Sequence, residues 1–258
     1  HVYHIDGDAF EARLTADTHA MLLCNPQNPT GNCWSEADLL RIGELCLKHK
    51  VVVLADEIHC DFIMQGQKYT PFANLPDKAI VDNSLTFKAI SKTFSLAGMK
   101  NAYFFSTNPV LLSRVKKNHR ADINTLGAVA NEAAYRRGAG WFDELLPYID
   151  ENHSFAETYI KQVLPEFSYK KAQGTYLAWL GTGDLAKQID AASQAERLGL
   201  KSPEHYIEQW LIDNAHLQLN PGSNYGPGGA NHMRMNLATP RPIIKQAIDK
   251  IAEAVRRA

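Results

Sequence analysis

Short apolar runs alternate with helical patterns in the first part of the chain. Four apolar runs predict strands, at Ala20–Cys24, residues 51–55, residues 84–87 and Ala102–Phe105. Between the first two, Ser35 and Asp38 have the spacing of a capping box and predict the start of a helix. Strands that alternate with helices are typical of a parallel α/β sheet.

The pattern changes after Pro109. The sequence predicts mainly helix as far as about Leu164, with a long helix over residues 141–163. Further on, it predicts strands at residues 167–171, 175–180, 217–219 and 233–238, a helix from Ser202 and a last helix from Pro240. We therefore expect an α/β domain of mainly parallel sheet at residues 1–144 and a smaller α+β domain at residues 145–258.

Composition narrows the classes of function. The chain has 258 residues, 45% hydrophobic and 21% charged, with a net charge of −1. This charge gives no electrostatic reason to expect binding to nucleic acid or to an anionic membrane. No apolar run reaches the ~20 residues of a membrane span.

The cysteines and the first residues bear on the compartment. Cys24, Cys33, Cys46 and Cys60 form no Cys-x-x-Cys pair and no zinc spacing, so we expect free thiols, no metal and a cytoplasmic protein. The polar opening does not resemble a signal peptide. Because the chain begins without methionine and close to an element, we expect that the N-terminal part of the protein is absent.

Polar residues follow the first three predicted strands. Asn28 lies in NPQNPTG (residues 25–31), Asp56 in DEIH (56–59) and Lys92 in SKTFSLAG (91–98). Ligands of open α/β sheets bind beyond the carboxyl ends of the strands. The sequence therefore predicts that these residues meet at one crevice.

These side chains suit pyridoxal 5'-phosphate (PLP), which requires a lysine for the Schiff base and an acidic partner for its ring nitrogen. We expect Lys92 to form the Schiff base, Asp56 to face the ring nitrogen and Asn28 to donate to the ring 3-oxygen. Taken singly, each has a simpler interpretation: a surface charge, a turn cap and a turn residue.

Two further candidates are His59 and Arg234. His59, three residues after Asp56, either reaches the same ring oxygen or packs in the sheet as a structural histidine, and the sequence does not decide between these. Arg234, in MRMN (233–236), either holds the substrate carboxylate with its planar fork or forms an ion pair on a strand.

Together these segments resemble the fold-type I PLP enzymes, the aspartate aminotransferase superfamily. The segments SKTFSLAG and DEIH, with GTYLAWL (174–180) and PGSNYG (221–226), are similar to the MalY/PatB branch of cystathionine β-lyases, or C–S lyases. The resemblance implies that Ser91 binds phosphate, that His59 serves the ring hydroxyl and that the protein is a homodimer. Many aminotransferases have an arginine eight residues after the lysine. This chain has Lys100 there, and we expect it to contact the phosphate as a point charge without a planar fork.

Three functions remain open at this point. The first is β-elimination of cystathionine or a similar thioether to thiol, pyruvate and ammonia. The second is an aminotransferase, which returns the proton to the cofactor carbon. The third is a PLP-fold regulatory or binding module with little turnover.

Overall fold

The computed structural model describes residues 3–118 and 122–258. The strands are β1 Ala20–Cys24, β2 Val52–Asp56, β3 Ser84–Ala89, β4 Ala102–Phe105, β5 Leu177–Gly181, β6 Asn220–Pro221 and β7 His232–Asn236. The α-helices are α1 Gly7–Glu11, α2 Glu36–Lys48, α3 Lys78–Asp82, α4 Ile90–Thr93, α5 Pro109–Asn118, α6 Thr125–Arg137, α7 Ala139–Val163, α8 Gly183–Gln188, α9 Ala191–Arg197, α10 Pro203–Ala215 and α11 Arg241–Val255.

These elements form two compact units. The described part of the first comprises residues 3–28, 32–118, 122–146 and 173–175, and the second comprises residues 29–31, 147–172 and 176–258. The functional division at residue 144, into a PLP-binding domain and a small domain, stays a prediction.

The first unit contains a sheet with the strand order β1-β2-β3-β4. Strands β1, β2 and β3 are parallel, whereas β4 runs antiparallel to β3. The predicted α/β class with a mainly parallel sheet is therefore confirmed. Leu23 and Val53 of the strands pack in one cluster with Leu39, Ile42 and Ile80 of the helices.

Helix α2 begins as its sequence predicts. The Ser35 hydroxyl accepts from the Asp38 N–H at 3.1 Å, and the Asp38 carboxylate accepts from the Ser35 N–H at 3.3 Å. Leu39, Ile42, Leu45 and Cys46 form its buried face, whereas Leu47 is 39% exposed. Residues two positions apart project from nearly opposite sides of a helix, so packing against the core buries Leu45 and leaves Leu47 exposed.

The helical region after Pro109 is confirmed within the described residues. It consists of α5, α6 and α7, while residues 119–121 of the prediction lie outside the described ranges. Helix α7 continues through Pro147. No helix in the described ranges combines the length and hydrophobicity needed to cross a bilayer.

The second unit contains a three-stranded antiparallel sheet with the order β5-β7-β6. Its core includes Ile160, Leu180, Leu211, Met233 and Ile248. Ala178 and Leu180 of β5 and Met233 and Met235 of β7 face this core, and the alternate residues, among them Trp179 and Arg234, lie on the other face of the sheet.

Two predicted strands of this unit are wrong. Residues 167–171 make only a bridge between Ser168 and Gly181, after which Lys171 forms an ion pair with Asp150 at 2.7 Å. Residues 217–219 make no ladder, and pairing begins with the two-residue β6. Leu219 is buried in the core cluster, so hydrophobic contact rather than strand pairing explains its apolar character.

Candidate functional site

The strand register of the first unit brings three chain segments to one sheet edge. Cys24 of β1 pairs with Asp56 of β2, and Asp56 pairs with Phe87 of β3. Neighbouring strands lie about 4.8 Å apart, so the segments that follow these residues leave the sheet side by side. Asn28 lies in the first segment, His59 in the second, and Ser91 and Lys92 in the third, which follows Ala89.

The loop that carries Asn28 is held by its neighbour Asn25. The buried Asn25 amide donates to the Thr70 carbonyl at 3.0 Å, and its oxygen accepts from the Trp34 N–H at 3.1 Å. The Gln27 N–H donates to the Asn32 carbonyl at 2.8 Å and closes the loop around Asn28. Asn25 is thus a structural residue, and Asn28, three residues later in the same motif, is half-buried.

Asp56 ends β2 and is half-buried. Its Oδ1 accepts from the Ile58 N–H at 3.1 Å, which is the turn contact that the simpler interpretation of this aspartate predicts. A carboxylate has two oxygens and about four acceptor sites, so this contact leaves capacity for a second donor. His59, three residues later, is buried at 3% exposure.

Sequence reasoning missed the importance of Glu57. This residue is 1% exposed; its Oε1 accepts from the Phe72 N–H at 2.8 Å, and its Oε2 lies 3.6 Å from the Lys88 ammonium. Both partners are distant in sequence or on another strand, so no local motif could have identified them. Glu57 fixes the start of the segment that carries Asp56 and His59.

Lys92 lies in the single turn of α4, directly after β3. Its side chain is half-buried, as is that of Ser91. Among the described residues, the Lys92 ammonium takes part in no salt bridge and no side-chain hydrogen bond. A lysine that neutralises a local carboxylate would show such a partner, so its environment is that of an amine available to a ligand.

Lys100 lies in the same connection between β3 and β4. Because β4 is antiparallel to β3 and Ala102 pairs with Ala89, this connection begins and ends at the edge that carries Lys92. Lys100 is exposed and adopts a left-handed backbone with φ of 51°. Contact between Lys100 and a phosphate stays a prediction.

Arg234 belongs to the second unit, on β7. Its guanidinium lies 5.0 Å from the centroid of the Tyr225 ring, and Trp179 is its cross-strand partner on β5. Trp179 also packs edge-on against Tyr225 at 5.8 Å and stacks on His232 at 4.9 Å. The sequence suggested Arg234 but not these aromatic neighbours, which meet through strand pairing. The approach of Arg234 to a substrate at Lys92 stays a prediction.

Burial controls the ionisation of several groups near these sites. It raises the pKa of the Cys24 and Cys60 thiols to about 11, so both are neutral at physiological pH. Burial also raises the pKa of the Tyr225 hydroxyl, against the opposing effect of Arg234. Within the ranges described, no group of three His, Cys, Asp or Glu side chains could hold a metal ion.

The chain matches the family described as aminotransferase class I and II over residues 1–251. It is 36% identical over 260 residues to cystathionine beta-lyase PatB of Bacillus subtilis (strain 168), which covers 98% of this chain and 62% of that protein. It is 30% identical to protein MalY of Escherichia coli (strain K12), over 92% of this chain and 57% of that protein. The chain thus spans about three-fifths of the length of these curated relatives.

Solved structures with similar folds contain PLP. The PLP-bound C-S lyase from Staphylococcus hominis superposes with a TM-score of 0.86 at 30% identity, over 98% of this chain and 63% of that one. Cystalysin from Treponema denticola, which contains a pyridoxal 5'-phosphate cofactor, has a TM-score of 0.86 at 29% identity, over 99% of this chain and 62% of that one.

The residues of the sheet edge fit such a group chemically. PLP needs an amine, an acidic partner for its ring nitrogen and donors for its oxygens. The edge offers the unpaired amine of Lys92, the carboxylate of Asp56 and the amide of Asn28, each on a different segment. Their order along the sheet, amide then carboxylate then amine, follows from the strand order β1-β2-β3.

Proposed function

Because the chain belongs to the aminotransferase class I and II family, we propose that the intact protein is a PLP-dependent C–S lyase of the cystathionine β-lyase type. The observation that carries the proposal is the common sheet edge of Asn28, Asp56 and Lys92. The names of the relatives at 36% and 30% identity support a lyase of the PatB and MalY kind.

The proposed reaction consumes water. A thioether of cysteine, such as cystathionine, and one water give a thiol, pyruvate and ammonia: the bond between sulfur and the β-carbon breaks, and the sulfur leaves with the electron pair and gains a proton. PLP, when bound, supplies an electron sink that makes the α-proton of the joined amino acid acidic.

The residues of this chain have distinct parts in that reaction. Lys92 would hold the cofactor before the substrate arrives, and its amine would then take the α-proton of the substrate. The Asp56 carboxylate stabilises the protonated ring nitrogen, since an opposite charge favours the cation. Asn28 and His59 would form hydrogen bonds with the ring oxygen, while Ser91 and Lys100 would bind the phosphate.

Arg234 is the proposed partner of the substrate carboxylate. Its guanidinium can make two parallel hydrogen bonds to a carboxylate. The Tyr225 ring beside it limits the directions in which the guanidinium can point. This contact orients the substrate and leaves the α-proton to Lys92.

The proposal is tested with the intact protein, PLP and cystathionine. A lyase releases pyruvate and thiol with no keto acid present, and Lys92→Ala abolishes both products. Strict dependence on an added keto acid contradicts the lyase.

An aminotransferase is the second candidate. The matching family bears that name, and aspartate aminotransferase of Bacillus subtilis (strain 168) is 22% identical over 99% of this chain. Both reactions begin with removal of the α-proton, so the same residues serve either. Transfer of the amino group to a keto acid, without thiol release, would establish it. An intact site with no turnover on any amino acid would instead favour the regulatory or binding module.

We further propose a cytoplasmic homodimer. Free thiols at the described cysteines are consistent with a reducing compartment. Leu126 and Val129, one turn apart on α6, are 73% and 61% exposed, and such apolar surface is common at subunit interfaces. Sedimentation of the intact protein at twice the monomer mass, and its recovery in the cytoplasmic fraction, are the expected results.

A further inference from the structure

We infer that Asp61 and Thr93 form a positioning pair that holds the turn carrying Lys92. The inference rests on the proposed role of Lys92 and deepens it. It concerns neither a contact with the cofactor nor a substrate contact, but a hydrogen bond within the first unit. The two residues lie 32 positions apart, on the segments that follow β2 and β3.

The hydrogen bond is short, and it joins a buried threonine to a half-buried aspartate. The Thr93 hydroxyl donates to Oδ2 of Asp61 at 2.6 Å, and Thr93 is 3% exposed. The other oxygen of Asp61, Oδ1, accepts from the Cys60 thiol at 3.7 Å. Hydrogen bonds to a carboxylate are about twice as strong as those between neutral groups. The bond therefore fixes the position of Thr93 more firmly than packing alone.

Helix α4 needs such support. It has four residues, and no side chain caps its N-terminus at Ala89. A single helical turn is unfavourable by itself, because it fixes several residues for one hydrogen bond. Two residues after it, Ser95 adopts a left-handed backbone with φ of 53°, which costs a non-glycine residue about 1 kcal/mol. Tertiary contacts must hold this turn in place.

Phe94 supplies the second support. Its ring packs edge-on against Tyr135 at 5.5 Å and against Phe142 at 6.4 Å. The two residues that follow Lys92 are thus held by a hydrogen bond and by aromatic packing, whereas the Lys92 side chain has no partner in the described part of the chain. The backbone of Lys92 is restrained while its amine stays free.

The pair also links two segments of the proposed site. Asp61 lies five residues after Asp56 and two after His59. The bond therefore connects the segment that would contact the cofactor ring to the segment that carries Lys92. A misplacement of about 1 Å between reacting groups can lower a rate about 100-fold. The pair acts through Lys92 and is a positioning device.

The test uses Thr93→Val, which keeps the shape of the side chain and removes the hydroxyl, with Thr93→Ser as the matched control that keeps it. In the first measurement, PLP is added to the apo protein, and the rate at which the visible absorbance of the lysine–PLP imine appears is recorded. We expect Thr93→Val to slow this step about tenfold or more, because the half-buried Asp61 carboxylate loses its hydroxyl donor and the turn that carries Lys92 is less well positioned, and we expect Thr93→Ser to keep the wild-type rate.

A second measurement separates positioning from folding. The melting temperature of each apo variant is recorded, and Asp61→Asn is made alone and with Thr93→Val. Since both changes act on the same hydrogen bond, their effects on the PLP step should not add. If Thr93→Val fails to fold, Asp61→Asn tests the inference in its place. This variant removes the charge and keeps an acceptor, and it should slow the reaction with PLP several-fold.

The outcomes distinguish the two proposals. Loss of the visible absorbance in Lys92→Ala, with wild-type rates in Thr93→Val and Asp61→Asn, overturns the positioning pair and leaves the proposed function standing. Absorbance that survives in Lys92→Ala overturns the proposed function itself. Additive effects in the double variant also overturn the pair.

Discussion

At the scale of single residues, the side chains beside Arg234 decide how well this residue can serve as a carboxylate partner. A guanidinium on a long side chain samples many rotamers, and each that is lost on binding costs free energy. The Tyr225 ring, 5.0 Å from the guanidinium, and Trp179, which packs edge-on against that ring, reduce this freedom beforehand. If Arg234 has its proposed role, this aromatic packing favours carboxylate binding by restricting the guanidinium beforehand.

Tyr225→Ala should therefore raise KM for an amino-acid substrate about two- to fivefold, the value of an exposed cation–π contact, and leave kcat nearly unchanged. Steady-state kinetics of the intact protein measure both. Tyr225→Phe keeps the ring and serves as the control, with the KM of the wild type. An equal rise in KM for both variants would show that the hydroxyl, not the ring, matters.

At the scale of elements, two glycines shape the loop before β7. A Cβ added at Gly222 would lie 2.1 Å from the Gly229 carbonyl oxygen, and one at Gly229 would lie 1.8 Å from that of Gly222. The clashing atoms belong to the backbone, so no side-chain rotation can relieve them. The two segments approach this closely only because both positions lack a side chain.

Gly229→Ala should lower the free energy of unfolding by about 1–3 kcal/mol, the usual cost of forcing extra atoms into a packed site. The matched control is Gly228→Ala, where an added Cβ meets nothing within 4 Å. Denaturant titration of both variants measures the difference. A Gly229→Ala protein as stable as Gly228→Ala would show that the loop can open without cost.

The start of α10 carries a pH-dependent contact. Glu204 is 3% exposed, and its carboxylate accepts from the Asn231 N–H at 2.8 Å. Burial acts to raise the pKa of Glu204, but hydrogen bonds from the Ser202 hydroxyl and the Asn231 N–H outweigh it and lower the pKa below its usual 4.5.

A lowered folded-state pKa means that the unfolded chain binds the proton more readily. The contribution of Glu204 to stability is therefore complete above about pH 4.5 and is lost as the pH falls through the folded-state pKa. Glu204→Gln should be less stable than the wild type at neutral pH, with the gap closing below pH 4.5. Unfolding free energies across this range check the sign; a gap that widens on acidification would contradict it.

At the scale of the whole molecule, each compact unit has its own hydrophobic cluster. Leu39 is fully buried in the cluster of the first unit, and Leu211 is fully buried in that of the second. Proteins with more than one core often unfold in more than one step. The two clusters are candidates for separate cooperative units.

Leu39→Ala and Leu211→Ala should each destabilise the protein by about 2–5 kcal/mol, the cost of a cavity in a core. Hydrogen exchange followed by mass spectrometry should show faster exchange mainly in the peptides of the affected cluster. Leu198→Ala, at a half-exposed position, is the control and should change stability by no more than about 0.5 kcal/mol. Equal acceleration in both clusters from either core variant would indicate one cooperative unit.

Local patterns were sufficient to determine much of this protein. The strands β1 and β4, the capping box of α2 and the residues Asn28, Asp56 and Lys92 all follow from short stretches of sequence. Strand propensity, cap geometry and motif chemistry each act over a few neighbouring residues, so they can be recognised without knowledge of distant contacts. The rule that strands alternating with helices form a parallel sheet was enough to predict the direction of β1, β2 and β3, but not the strand order or the antiparallel β4.

Only the tertiary structure decided the rest. The Asp61–Thr93 hydrogen bond, the burial of Glu57 and the aromatic neighbours of Arg234 join residues far apart in sequence. The same holds for the two predicted strands that are absent, since Ser168 finds one short bridge and Leu219 finds the core. Such outcomes depend on which segments meet after folding, a property of long-range packing that local patterns do not contain.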